Sequence, residues 1–252
     1  MMLRLGGILL WTLMAMPVQA MLLVLPGPGK QWFAMVYWRG VASVLGLRVS
    51  VIGKLTAERP VLFVANHCSW LDIVALGSVL PGCFVAKADI AHWPLISWVA
   101  RLGRTVFVTR NRSGVSREQD ALSGRLAAGD NIILFPEGTT SDGTRILPFS
   151  SAFLALANTP ARPWVQPVTL VYDEMDGLPV RRGDRPGISW YGDMDMASHY
   201  NGIGRRRSLH ATIVLDSAIA PGTFANRKTL SAALEWRLAL NAGALRQRRF
   251  AQ

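Results

Sequence analysis

Two residue types able to move a proton stand close together in the run Asn66-His67-Cys68-Ser69-Trp70-Leu71-Asp72. An imidazole titrates near neutral pH and can take a proton from a hydroxyl. A carboxylate bonded to its other ring nitrogen fixes the tautomer and stabilises the imidazolium that forms. His67 and Asp72 are therefore the candidate catalytic pair, with His67 as general base. Their spacing is wrong for one straight helical face. They meet only if His67 lies on a turn and Asp72 in the first turn of a helix, with the chain folding back. There Asp72 also complements the helix dipole, and Ser69 is the expected N-cap. A metal site needs further ligands; His92, His199 and His210 offer no clustered spacing, so none is expected.

Two other stretches carry polar chemistry. Phe135-Pro136-Glu137-Gly138-Thr139-Thr140-Ser141-Asp142-Gly143 follows an apolar run. Gly138 lets the backbone come close to a ligand, neighbouring amides and hydroxyls can hold an oxyanion or a polar head group, and Glu137 can accept bonds from substrate hydroxyls. In Gly103-Arg104-Thr105-Val106-Phe107-Val108-Thr109-Arg110 an apolar run ends in Arg110, whose guanidinium fits a phosphate bidentately. Singly, each stretch also reads as an ordinary tight turn or a solvated arginine.

The elements that must position these residues follow from periodicity. Strands are expected at 48–52, 61–65, 83–86, 105–109, 131–135, 165–172, 187–191 and 211–215. Helices are expected near 71–80, 94–102, 115–128, 151–158 and 227–240, and 176–186 reads as a loop. Short β-rich runs alternating with helical ones predict an α/β fold, a mixed central sheet flanked by helices. His67 and Glu137 then sit at strand ends, where the sheet fixes the backbone and the side chains face solvent or substrate.

Ahead of this domain, residues 5–25 are apolar apart from Thr12, Pro17 and Gln19. As a helix this run matches the thickness of a bilayer's hydrocarbon core. A signal peptide cleaved near Val18-Gln19-Ala20 is the rival reading, but the apolar run continues through Leu25, so a membrane anchor, spanning or re-entrant, is expected. Residues 31–47, with Trp32, Tyr37, Trp38 and Arg39, suit an interfacial helix or a core helix. This divides the chain into an anchor with its interfacial helix, 1–47, and a catalytic domain, 48–252. The net charge of +11, the nine tryptophans and the 50% hydrophobic content favour a membrane surface as partner over nucleic acid, for which no motif is present. Residues 201–252 carry nine Arg or Lys against Asp216 and Glu235 alone, a charge able to touch anionic head groups. Cys68 and Cys83 lack CxxC partners and read as reduced core thiols. The chain has no Gly-x-Ser-x-Gly elbow, which argues against a serine hydrolase of that type.

In combination the motifs are specific. His67-x4-Asp72, then Gly103…Val106-Phe107-Val108-x-Arg110, then Phe135-Pro136-Glu137-Gly138-Thr139, then Val165-Gln166-Pro167-Val168 occur in that order. This resembles the PlsC-like glycerolipid (lysophospholipid) acyltransferases from about Arg48 to Leu240. Val85-Ala86-Lys87 resembles that family's strand-end lysine. The resemblance implies transfer of a fatty acyl group from an acyl-carrier protein or acyl-CoA thioester to a lysophospholipid hydroxyl, without a covalent acyl-enzyme and without a metal or organic cofactor. His67 would deprotonate the acceptor and Asp72 orient it. Lys87 and Arg110 would hold a phosphate or other anionic head group, and Phe135, Glu137, Gly138 and Thr139 would line and position the acceptor. It also implies a bacterial inner membrane location with the catalytic face towards the cytoplasm, where acyl thioesters are found. The acceptor implied first is 1-acylglycerol-3-phosphate, giving phosphatidate. Two departures bear on this: Thr140 stands where the family often has Arg, and Thr109 where it often has Asp. The loss of an arginine opens lyso-ornithine lipid as an alternative acceptor. A membrane-surface binding protein without catalysis is the other reading.

Overall fold

The fold is taken from a computed structural model, which describes residues 2–87, 98–100, 103–108 and 115–249. The elements in chain order are α1 (Met2–Val24), α2 (Gly29–Leu45), β1 (Leu47–Gly53), β2 (Val61–Ala65), α3 (Leu71–Gly77), β3 (Cys83–Lys87), β4 (Val106–Val108), α4 (Val115–Ala127) and β5 (Ile132–Leu134). After a 3-10 helix at Phe153–Asn158 come β6 (Trp164–Met175), β7 (Leu178–Pro179), α5 (Arg185–Ile188), α6 (Met196–Gly204), β8 (Leu209–Leu215) and α7 (Arg227–Arg246). The strands form one mixed sheet in the order β1-β8-β6-β2-β5-β3-β4, with β7 paired to β6. Strands β6, β2, β5, β3 and β4 are parallel, whereas β8 runs antiparallel to β6 and carries β1 parallel to itself.

Strand β2 lies in the middle, and every one of its residues is buried. Burial on both faces is why it reads as an unbroken apolar run rather than an alternating one. Val61, Phe63 and Ala65 face a core shared with α2 and α3, including Val41, Leu45, Leu71, Val74 and Ala75. Leu62 and Val64 face the opposite core, shared with Leu122 and Leu126 of α4 and Leu230, Leu234 and Leu238 of α7. From β2 the chain crosses past β5 to reach β3, and from β5 it crosses back past β2 to reach β6. The connections thus leave adjacent strand ends in opposite directions, which opens a crevice at those carboxyl ends.

Helices α1 and α2 form an antiparallel pair. The Trp11 indole donates to the Tyr37 carbonyl at 2.9 Å, and Thr12 meets the Tyr37 hydroxyl at 3.0 Å. Gly40 admits the Trp11 ring, which would meet any side chain there. Gly77 of α3 likewise admits Trp38 of α2. Both ends of the pair are tied to the sheet domain. Arg4 donates to the carbonyls of Arg206 and Arg207 at 2.8 and 3.1 Å, and Gln31 donates to Asp130 at 3.3 Å. Helix α1 therefore runs alongside the body, burying only Ala15 and Gln19 and exposing an apolar ridge that includes Leu3, Leu10, Leu13 and Met14.

Three expectations are corrected. Residues 187–191 are not a strand: Arg185–Ile188 is one helical turn with Pro at its start, where a missing N–H costs nothing, and the chain then extends to bond Cys68. The segment near 151–158 is a 3-10 helix, Phe153–Asn158, which ends where Thr159 turns extended ahead of Pro160. The 176–186 loop contains β7. Helix α6 was not anticipated; the Asp195 carboxylate caps it by accepting from Ser198 N–H at 2.8 Å. Most of the expected helix at 94–102 lies outside the described residues.

Candidate active site

The site is built at the carboxyl ends of β2 and β5. After Ala65 the chain turns, and Asn66 locks that turn to β6: its amide donates to the Leu170 carbonyl at 2.9 Å and accepts from the Leu170 N–H at 2.8 Å. The next residue is His67. Helix α3 then starts, and Asp72 in its first turn folds back as the spacing required. Its Oδ2 receives His67 Nδ1 at 2.8 Å, Cys68 N–H at 2.6 Å and Ser69 N–H at 2.9 Å. Oδ1 accepts from the Tyr172 hydroxyl at 2.7 Å and the Cys68 thiol at 3.7 Å. Asp72 is fully buried, yet both of its oxygens are satisfied. The start of α3 is thus closed by Asp72 acting on the amides before it, while the expected cap, Ser69, makes only a 3.4 Å contact with Leu71 N–H.

A carboxylate can only accept, so the hydrogen of a neutral His67 ring sits on Nδ1 and Nε2 carries the free lone pair. Among the described residues no protein group bonds Nε2, and the side chain is 18% exposed, enough for a hydroxyl to reach it. The ring stacks on Phe135 with centroids 4.0 Å apart, and Phe135 stacks in turn on Phe84.

Glu137 lies in the turn after β5, where its carboxylate spans two loops. Oε1 accepts from His67 N–H at 2.7 Å and Oε2 from Leu147 N–H at 2.8 Å. The His67 carbonyl accepts from Ser141 N–H at 3.0 Å, so the Glu137 turn holds the histidine backbone from both sides. Burial pushes the Glu137 carboxyl up to about 7, against the pull of its two N–H donors. Gly138 has φ of 68°, the left-handed conformation its turn needs, and Thr139 beside it is exposed. Cys68, by contrast, is no nucleophile: burial, and next the Asp72 charge, raise its thiol well above the ordinary value.

The structure therefore brings together His67, Asp72, Phe135, Glu137, Gly138 and Thr139. Lys87 ends β3, paired with Val108, two strands from β2. Arg110 lies outside the described residues. Sequence reasoning missed Tyr172 and the anchoring role of Asn66. It also missed Arg246, which donates to the Thr144 carbonyl at 2.9 Å. With Arg185, Cys68, Asn66 and Tyr172, Arg246 lines a small open cleft next to the dyad. Burial, and next the charge of Arg185, lower its pKa. The only sequence signal for Tyr172 was its polar tip at the end of an apolar run. For Arg246 it was a basic residue in the last turn of a helix.

The comparisons with known proteins agree with this architecture. The Acyltransferase family model matches residues 47–171. The lyso-ornithine lipid O-acyltransferase of Rhizobium meliloti is 38% identical over 227 residues, 87% of this chain and 78% of that protein. The 1-acyl-sn-glycerol-3-phosphate acyltransferase of Neisseria meningitidis serogroup B is 39% identical over 122 residues, 47% of this chain and 48% of that protein. In fold, the crystal structure of the 1-acyl-sn-glycerophosphate acyltransferase PlsC from Thermotoga maritima is similar with a TM-score of 0.67 and 20% identity, over 99% of this chain and 100% of that one. The chain belongs to the PlsC-like glycerolipid acyltransferase family.

Proposed function

We propose that this protein transfers a fatty acyl group from an acyl thioester, carried by acyl-carrier protein or coenzyme A, to the hydroxyl of lyso-ornithine lipid. One observation carries the choice of acceptor: similarity to a lyso-ornithine lipid O-acyltransferase extends over 87% of the chain, beyond β6 and through most of the C-terminal half. Thr140, standing in for a phosphate-binding arginine, and Arg185 and Arg246, which both line the cleft beside the dyad, are compatible with a carboxylate-bearing head group. Lysophosphatidate is the second reading, favoured by the 39% identity to the Neisseria enzyme over the shorter stretch.

His67 Nε2 takes the proton of the acceptor hydroxyl as its oxygen attacks the thioester carbonyl. Asp72 holds the ring in the required tautomer and balances the imidazolium. Collapse of the tetrahedral intermediate expels the thiolate, which recovers the proton from His67. The inert Cys68 thiol supports direct transfer without an acyl-enzyme. Glu137 and Asn66 fix the backbone on either side of the imidazole, and Phe135 fixes its plane; such positioning matters most in a two-substrate reaction. Lys87, Arg110, Gly138 and Thr139 are assigned to the substrates.

Residues 1–47 form the membrane attachment and 48–252 the catalytic domain. Because both ends of the α1–α2 pair are tied to that domain, α1 lies in the plane of the bilayer surface with its apolar ridge in the acyl region, rather than spanning. The site faces the cytoplasmic side of a bacterial inner membrane, where acyl thioesters are made. A panel of lysolipid acceptors given to the purified protein with acyl-carrier-protein and coenzyme A thioesters tests the reading. Acylation of lyso-ornithine lipid at least tenfold faster than lysophosphatidate, and its loss in His67→Ala, are expected; the reverse preference replaces the acceptor assigned here.

A further inference from the structure

On the β6–β8–β1 side of the sheet, starting one residue beyond Tyr172, three strands assemble a second hydrogen-bonded set of side chains. The Ser50 Oγ of β1 lies 2.8 Å from His210 Nε2 on β8, and His210 Nδ1 lies 2.6 Å from Asp173 Oδ1 on β6. The other Asp173 oxygen accepts from the Thr212 hydroxyl at 2.6 Å. Because the carboxylate only accepts, the hydrogen of a neutral His210 ring sits on Nδ1, and Nε2 then accepts from the Ser50 hydroxyl. The order is nucleophile, base, orienting acid, the arrangement by which a serine becomes a nucleophile. It differs from the His67 site in one respect: there Nε2 awaits a substrate hydroxyl, whereas here the protein supplies the hydroxyl itself.

Three further observations bear on what this set does. A β-bulge in β6 shifts the register between Tyr172 and Glu174, so Asp173 and Glu174 both stand opposite His210. Bulges re-aim side chains and gather beside functional sites. Asp173 takes the ring nitrogen, and Glu174 pairs with Arg248 at 3.9 Å. Ser50 is exposed, and the His210 and Asp173 side chains are 20% and 23% exposed, so a substrate carbonyl can reach the hydroxyl. Finally, among the described residues β1 is an edge strand that pairs with β8 alone. The bond from Leu209 N–H to the Gly46 carbonyl, at 3.0 Å, sets the phase of this parallel ladder. Even-numbered β1 residues point their N–H groups to β8 and odd-numbered ones to the free edge. The Val51 N–H, in the residue after Ser50, therefore points to the free edge, with no partner among the described residues.

We propose that Ser50, His210 and Asp173 form a second, hydrolytic site that cleaves carboxylic esters or thioesters presented at the open edge of the sheet. Ser50 Oγ adds to the carbonyl carbon while His210 Nε2 takes its proton. The carbon–oxygen or carbon–sulfur bond breaks, the leaving alkoxide or thiolate takes the proton from His210, and the acyl group stays on Ser50. Water then gives a proton to His210 and adds to the acyl carbon; carboxylic acid departs and Ser50 regains its proton. The balance is ester plus water to acid plus alcohol, with no further reactant. Arg48, the register partner of His210 on the same face, selects esters that carry an anionic group.

The test uses the full chain in detergent micelles, a fluorophosphonate probe with peptide mapping, and p-nitrophenyl butyrate hydrolysis. The probe should modify Ser50 in the unaltered protein and in His67→Ala, but not in Ser50→Ala. Hydrolysis should fall at least ~100-fold in Ser50→Ala and His210→Phe, while lysolipid acylation stays within about twofold, which also reports that both variants fold. Absence of label on Ser50, hydrolysis indifferent to Ser50→Ala, or hydrolysis that disappears with His67→Ala instead, each overturns the proposal.

Discussion

The Tyr172 hydroxyl donates a 2.7 Å hydrogen bond to Asp72, so the acid that orients His67 is itself held by a residue on β6. Removing that hydroxyl leaves the buried Oδ1, among the described residues, with only the thiol of Cys68. Tyr172→Phe is expected to lower kcat about tenfold, the effect of losing one oriented hydrogen bond of ~1.4 kcal/mol. The KM for either substrate should stay unchanged, because Tyr172 acts through Asp72. His67→Ala, which removes the base itself, should cost on the order of 10²–10⁴ in kcat. Steady-state acyl transfer on the two variants separates a positioning residue from a proton acceptor.

Glu137 predicts a pH dependence of stability with a definite sign. Its carboxyl titrates at about 7 in the folded chain, above the ordinary 4.5, chiefly because it is buried. The folded state then binds more protons than the unfolded one between these values, so this group's contribution to stability is full below pH 4.5 and is lost as pH rises through about 7. Glu137→Gln removes the titration and should flatten the fall in Tm over that window. The amide that replaces one oxygen also faces a backbone N–H, of His67 or Leu147, and should lower kcat at every pH. Thermal melts from pH 4.5 to 8 beside kcat measurements check both.

Gly40 tests the packing of the two N-terminal helices. In an exposed helix interior, Gly to Ala stabilises by roughly 1 kcal/mol. Here the added methyl would meet the Trp11 ring, so Gly40→Ala is expected to destabilise, or to leave Tm unchanged at best, and to pry α1 from α2. A rise in Trp11 accessibility to a collisional quencher, in a variant with other indoles near α1 replaced, is the accompanying signal.

The apolar ridge on α1 predicts where a charge matters. Leu10 and Leu13 make up part of that exposed ridge, so replacing both with Lys should spare the fold. Each burial forgone there forfeits about 1.5–3 kcal/mol of membrane affinity. Co-sedimentation of the double variant with vesicles containing anionic lipid should fall by more than tenfold, while its activity on detergent-dispersed acceptor persists.

The parts of this molecule legible from sequence are those fixed by local physics. Strand β2 announced itself because both its faces are buried, and α7 because its apolar residues recur at helical spacing on one face. The return of Asp72 to His67 followed from their separation across a strand end. Residues 187–191 misled because Ile188 and Trp190 alternate as in a strand, while Pro186 and the bond from Trp190 N–H to the Cys68 carbonyl hold the chain otherwise. Helix α6 hid behind Asn201, Gly202 and Gly204, poor helix formers kept helical by tertiary packing. Tyr172 and the Ser50–His210–Asp173 set were invisible for a different reason: their contacts depend on which strands are neighbours, and strand order is not a property of any local window. Glu137 read as facing substrate because a carboxylate after a strand end usually does; its two backbone partners come from separate turns.

Strand β1 has a consequence for how the chain is born. It precedes β8, its partner among the described residues, by more than 150 positions, with Leu47 set against Leu209. Arg4 waits equally long for the carbonyls of Arg206 and Arg207. During synthesis α1 and α2 therefore spend most of translation without the body they finally rest on, and such distant pairings form late. On the membrane attachment proposed above, their apolar surface would meet the bilayer before the sheet is complete, and the domain would assemble against that surface.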